Sequence, residues 1–215
     1  MVKRSLALSA IVACLLVAAG CTSTSEGTPR SVPDEVPTES SEVPPSTTGS
    51  GEVELPYAGA PEVVDPLDTT RFQEDPCQSL TATQADNLNV RFPGELHDGG
   101  LGNACEFKGL SDARALVDVR FLDKYPRGLS AIYQAEKDGK WEFFYALDPV
   151  DSFPAVAFGV GQRATGGCSV AVGTSNEIIV EIVLRLSADK VGKKEPCETA
   201  ALVAGMVVET MKAAQ

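Results

Sequence analysis

Few residues in this sequence can do chemistry. The chain of 215 residues has one histidine, His97, in Leu96-His97-Asp98-Gly99-Gly100. A histidine beside an aspartate in a glycine loop has the make-up of a general base with a carboxylate to orient it. A hydrolase using His97 with a carboxylate such as Asp98 is therefore the catalytic alternative. The commoner reading is a solvated loop residue, and no nucleophile motif supports the sharper one. There is no G-x-S-x-G, no H-E-x-x-H and no phosphate loop. Gly159-x-Gly161 lacks the third glycine and the strand–helix context of a dinucleotide site. Asp148 and Asp151 flank Pro149, which reads as a turn rather than a carboxylate dyad. Trp141, Phe143, Phe144 and Tyr145 form the densest aromatic cluster. Alternating along a strand, they pack both faces of a sheet, with a ligand-contacting aromatic as the alternative. The sequence thus predicts no catalytic and no cofactor-binding residue, and a protein that is not an enzyme.

Six cysteines remain, in three roles. Met1-Val2-Lys3-Arg4 is a short cationic start, and Leu6 to Val17 is apolar apart from Ser9. Ala18-Ala19-Gly20-Cys21 follows, small residues running into a cysteine. This run resembles a bacterial lipobox, with Ala18 where many carry Leu. The resemblance implies that residues 1–20 are a lipoprotein signal peptide. The Cys21 thiol then takes a diacylglyceryl group, and Cys21 becomes the first residue of the mature chain. The alternative, a single-span anchor, needs an apolar run of ~20 residues, and this one is shorter. Each buried methylene contributes ~0.8 kcal/mol, and two acyl chains make membrane binding stable. The expected location is the extracytoplasmic face of the cell membrane, with the membrane itself as partner through Cys21. Cys14 is removed with the signal peptide.

The last four, Cys77, Cys105, Cys168 and Cys197, lack the paired C-x₂-C spacing of zinc sites, so no metal is expected. Export favours oxidation. Four cysteines allow three connectivities. The expected one is sequential, Cys77 with Cys105 and Cys168 with Cys197, each joining the start of a helix to a strand. Each bridge then stabilises by roughly 3–4 kcal/mol, and no free thiol remains as a nucleophile.

The elements that hold these residues follow from composition and period. Residues 22–66 contain eight Pro, thirteen Ser or Thr, and nine acids against Arg30 alone. Such a stretch buries too little apolar surface to offset its ordering entropy. With Cys21 it reads as an acylated, disordered tether, residues 21–66, on which O-linked sugar is possible. Residues 67–215 read as a single domain. Asp75-Pro76 starts a helical turn, and Thr81-x-x-Gln84 is a capping box for a helix over about 82–90. A strand is expected around Cys105–Phe107. Val117, Val119 and Phe121 alternate with Leu116, Asp118 and Arg120, which is a period-two strand. Leu129, Ile132 and Tyr133 fall at helical spacing. Residues 141–147 and 154–158 are strand-like. Strands at 168–172 and 178–186 are joined by a Gly173–Asn176 hairpin. A closing helix opens near Pro196-Cys197. The class is α+β, an antiparallel sheet with flanking helices. The folded part carries 21 acids and 15 bases without a basic stripe, which excludes nucleic acid as a partner.

Asp75-Pro76-Cys77, Cys105-x-Phe107, Pro154-Ala155, Cys168 and Cys197 together resemble an actinobacterial lipoprotein family known as domain of unknown function 3558. Phe107 stands where that family usually has Trp. The resemblance spans about residues 70–213. It implies a lipoprotein with two disulfides and brings no activity. The expected role is a non-catalytic envelope module that binds a small molecule, lipid or protein partner. The alternatives are the His97 hydrolase and a structural accessory subunit of an envelope complex.

Overall fold

The structure, a computed structural model, describes residues 54–215. The expected signal peptide, Cys21 and the expected tether through residue 53 lie outside the described residues. Seven strands form one antiparallel sheet: β1 (Glu95–Asp98), β2 (Asn103–Lys108), β3 (Leu116–Leu122), β4 (Phe143–Ala146), β5 (Ala155–Gly159), β6 (Gly167–Gly173) and β7 (Ile179–Arg185). Their order across the sheet is β1-β2-β3-β7-β6-β5-β4. Two meanders, β1–β3 and β4–β7, therefore meet along a single seam, β3 against β7. The helices are α1 (Thr70–Glu74), α2 (Ala82–Leu88), α3 (Gly128–Lys137) and α4 (Pro196–Lys212), with single 3-10 turns at Pro76–Ser79 and Arg163–Thr165.

Local chemistry sets these elements. Thr81 Oγ1 accepts from Gln84 N while Gln84 Oε1 accepts from Thr81 N, closing both ends of the capping box of α2. That helix stops at Asn89, whose left-handed backbone suits asparagine. Glu195 caps α4 by accepting from Cys197 N and Glu198 N. Side chains alternate across the strands. Val117, Val119 and Phe121 of β3 join Val180, Ile182 and Leu184 of β7 in the main core, with Val203, Val207 and Met211 of α4 packed on them. Phe72 of α1 stacks on Phe121, ring centroids 6.3 Å apart. On the other sheet face Leu129 and Ile132 of α3 cover Val156, Phe158, Ala171 and Ile179.

Both disulfides take the sequential pairing: Cys77 with Cys105, and Cys168 with Cys197, at sequence separations of 28 and 29. Cys105, Cys168 and Cys197 are buried, and Cys77 is half-buried.

The end of the expected tether behaves differently from its composition. Residues 54–66 lie against the domain. Val63 is buried and its N–H donates to Asn176 Oδ1 at 2.8 Å. Tyr57 N donates to Ser130 Oγ at 2.9 Å, and Ala60 packs on the α3 side of the sheet. A proline-rich stretch lacks internal structure, but its amides still need acceptors, and Asn176 and Ser130 supply them.

Candidate functional site

The site lies where the sheet face beneath α3 runs out from under the helix. Leu116, Asp118, Arg120 and Leu122 of β3 point to that face, as do Ile179, Glu181, Val183 and Arg185 of β7. The register sets Leu122 opposite Ile179, Arg120 opposite Glu181 and Asp118 opposite Val183, all across the seam. At the start of α3 a pocket of about 410 Å³ opens over the Leu122–Ile179 pair. Leu101 from the β1–β2 turn, Tyr125 and Arg127 from the β3–α3 loop, and Gly128 and Ala131 of α3 complete its lining. The two loops are tied together: Lys124 N donates to Leu101 O at 3.1 Å, and Lys124 Nζ donates to Asp98 Oδ1 at 2.9 Å. Gly128 must be glycine. Its φ is +52°, and a Cβ there would overlap Asn176 O.

Beside the pocket is a cluster of shielded charge. Asp118, only 3% exposed, accepts from Arg120 Nε at 2.7 Å. His97 Nε2 lies 3.0 Å from the other carboxylate oxygen of Asp118. His97 sits in β1, opposite Ala104, which is in turn opposite Arg120. The small Ala104 side chain lets the imidazole reach across β2. Its Nδ1 faces Asp98 O at 3.3 Å, so both N–H groups of an imidazolium have acceptors. Partial burial works against the charged ring, but the hydrogen bond and charge of Asp118 outweigh it and raise the His97 pKa. Glu181 is pushed up by burial of its carboxyl, with Arg120 and Ser169 acting in the opposite sense.

The pairing of His97 with Asp98 that the hydrolase alternative would use is not formed. The Asp98 carboxylate accepts from Lys124 Nζ and from Gly100 N instead. Nor is His97 a loop residue, since β1 includes it. The ring makes no hydrogen bond to a hydroxyl or thiol among the described residues; its two nitrogens face Asp118 Oδ1 and Asp98 O. Asp151 pairs with Lys212 at 2.7 Å in a turn of positive φ. The aromatic cluster packs. Trp141 lies 4.7 Å from Phe158, Phe144 sits edge-on to Tyr133 at 5.0 Å, and Arg163 stacks over Phe143 and Tyr145. Among the described residues no three His, Cys, Asp or Glu are placed to hold a metal ion, and no helix is long and apolar enough to cross a membrane. A larger cleft, about 740 Å³, lies between Glu142, Arg163, Lys193 and Glu195. There Arg163 Nε donates to Glu195 Oε1 at 2.7 Å, and Glu142 accepts from Gly161 N. Half of that cleft's lining residues are charged, whereas the pocket at α3 is mainly apolar with a single charge, so the pocket at α3 is the better candidate.

A family described as protein of unknown function (DUF3558) has a model that matches residues 16–210. The chain belongs to the DUF3558 family. No curated protein and no solved structure matches it. The residues that carry the DUF3558 resemblance are structural in this fold. Asp75 accepts from Cys77 N, Phe107 is fully buried, and the four cysteines are paired. None of them lines the pocket. Asp118, Arg120, Glu181 and Arg127 were not singled out by sequence reasoning as site residues. For the first three a signal exists, namely charge at alternate positions of otherwise apolar strands. For Arg127 there is none.

Proposed function

We propose that this DUF3558 protein is a non-catalytic envelope module, exported and held at the cell membrane by a lipid on Cys21, that binds a small molecule in the pocket at the start of α3. Membership of the family is the coarser fact on which this builds. The lipobox-like run Ala18-Ala19-Gly20-Cys21 supports the anchor, and two disulfides suit an oxidising compartment. The observation that carries the binding role is the pocket lip. Leu101 and Tyr125 are 47% and 68% exposed although both line an apolar hollow. Full burial of a leucine contributes about 1.5–3 kcal/mol, so Leu101 leaves roughly half of that for an occupant to gain. A His97 hydrolase is less favoured, because Nε2 faces Asp118 and Nδ1 faces Asp98 O, which leaves neither ring nitrogen directed at a substrate.

Native mass spectrometry of the protein purified from its own envelope tests this reading. The expected result is a retained non-covalent mass that is lost in Ala131→Trp, since Ala131 is an exposed helix residue whose enlargement fills the hollow. Absence of retained mass, or retention unchanged by Ala131→Trp, overturns it. Hydrolysis of an ester, glycan or peptide by the folded protein, lost by ~10²–10⁴-fold in His97→Ala, would replace it with the catalytic alternative.

A further inference from the structure

The pocket has a polarity of its own. Its floor is Leu122 and Ile179, and Leu101, Tyr125 and Ala131 form its walls. Arg127 is the one charged residue in the lining, and no carboxylate is present there. Arg127 is exposed and makes no ion pair among the described residues. Arg120 nearby is already held by Asp118, so Arg127 is the cation left to meet a ligand. In a chain of formal net charge −12, a hollow without carboxylates and with a guanidinium at its rim is complementary to a negative head on an apolar body. The planar fork of arginine matches a carboxylate with two parallel hydrogen bonds.

We propose that the occupant is a single-chain anionic amphiphile of the fatty-acid class, its hydrocarbon over Leu122 and Ile179 and its carboxylate on Arg127. This rests on the reading of the pocket as a binding site. A volume of about 410 Å³ is at the small end of the ~300–1,000 Å³ typical of ligand pockets, which suits one chain rather than the paired chains of a bilayer lipid. Each methylene taken from water adds ~0.8 kcal/mol.

The test uses the whole chain with Cys21→Ala, so that no acyl group of its own is attached. A fluorescent fatty acid, the matching fatty alcohol and phosphatidylglycerol vesicles are titrated in turn. The acid is expected to bind one per chain and the alcohol more weakly. Arg127→Gln should weaken the acid by about tenfold or more, the worth of a charged hydrogen bond, and bring acid and alcohol level. Ala131→Trp should remove saturable binding of both. Equal binding of acid and alcohol to the unaltered pocket would sink the anionic assignment while leaving the pocket as a binding site. Acid binding that survives Ala131→Trp would sink both. Vesicle binding that depends on Leu101 and Tyr125, with no monomer bound, would mark the patch as a bilayer-docking surface and overturn the proposal.

Discussion

Removing the second disulfide by Cys168→Ala with Cys197→Ala should lower stability by about 4–5 kcal/mol. The bridge closes a separation of 29 residues. The loop-entropy relation then assigns ~12 cal/mol/K, or ~3.6 kcal/mol at 25 °C. Both cysteines are 1% exposed between β6 and α4, so losing two sulfur atoms leaves a small void that costs roughly 1 kcal/mol more. A domain of ordinary stability has about 5–15 kcal/mol in all. With a urea slope near 2 kcal/mol/M, the unfolding midpoint should fall by about 2 M. The slope itself should rise, because the unlinked unfolded chain exposes more surface. The first bridge stays intact in this variant and serves as an internal control. A midpoint shift under about 0.5 M with an unchanged slope would refute the argument. So would a non-reducing peptide map linking Cys77 to Cys168 or Cys197. Mild reductant under native conditions should open Cys77–Cys105 first, since Cys77 is half-buried while both partners of the second bridge are buried.

Cys21→Ala should leave an unacylated, unprocessed precursor; acyl chains on the variant would end the lipobox reading. The raised His97 pKa means that its contribution to stability is complete below the ordinary histidine value of 6.5 and is lost as pH rises through the higher folded value. His97→Ala should flatten that slope in pH-dependent melts, and an imidazole titrating at or below 6.5 by NMR would contradict it. Glu181 is raised by burial, so it loses stability for the fold as pH climbs from its ordinary value of 4.5. Glu181→Gln should therefore stabilise at pH 7 and have no effect near pH 3, where both side chains are neutral; stabilisation of equal size at both pH values would count against a desolvated charge. At Gly102 a new Cβ would overlap Phe121 O, so Gly102→Ala should cost at least ~2 kcal/mol. A thermal shift within the scatter of surface variants would mean the β1–β2 turn does not press on β3.

Much of the fold was legible because its signals are local. The alternation in β3 and β7, the capping box at Thr81 and Gln84, and the Pro196 start of α4 each lie within a few residues. β1 carried no such signal, since all four of its residues are exposed and an edge strand with no apolar side has no period to read. The docking of residues 54–66 depends on Asn176 and Ser130, which are far away in sequence. The candidate site failed for a specific reason. Asp98 seemed the natural partner of His97 because it is adjacent, but neighbours in a strand point to opposite faces. The carboxylate that meets the ring is 21 residues further on and two strands across, and only the register of β1, β2 and β3 brings it there.

The placement of the two disulfides bears on the order in which the molecule assembles. Neither spans the β3–β7 seam. Cys77–Cys105 joins the 3-10 turn that precedes β1 to β2, and Cys168–Cys197 joins β6 to the helix that follows β7. A chain delivered from its N-terminus can complete the first covalent loop as soon as residue 105 emerges, while Cys168 is still out of reach. The second then forms between the two thiols left among the described residues, so timing favours the sequential connectivity as well as stability. The long-range step that remains, zipping β3 onto β7, is made without a covalent link and is slow by topology. It also creates the pocket, because Leu122 and Ile179 face each other only after the two halves have met. An occupant would thus be a late checkpoint of maturation: a chain with both bridges closed and the seam still open has no place for it.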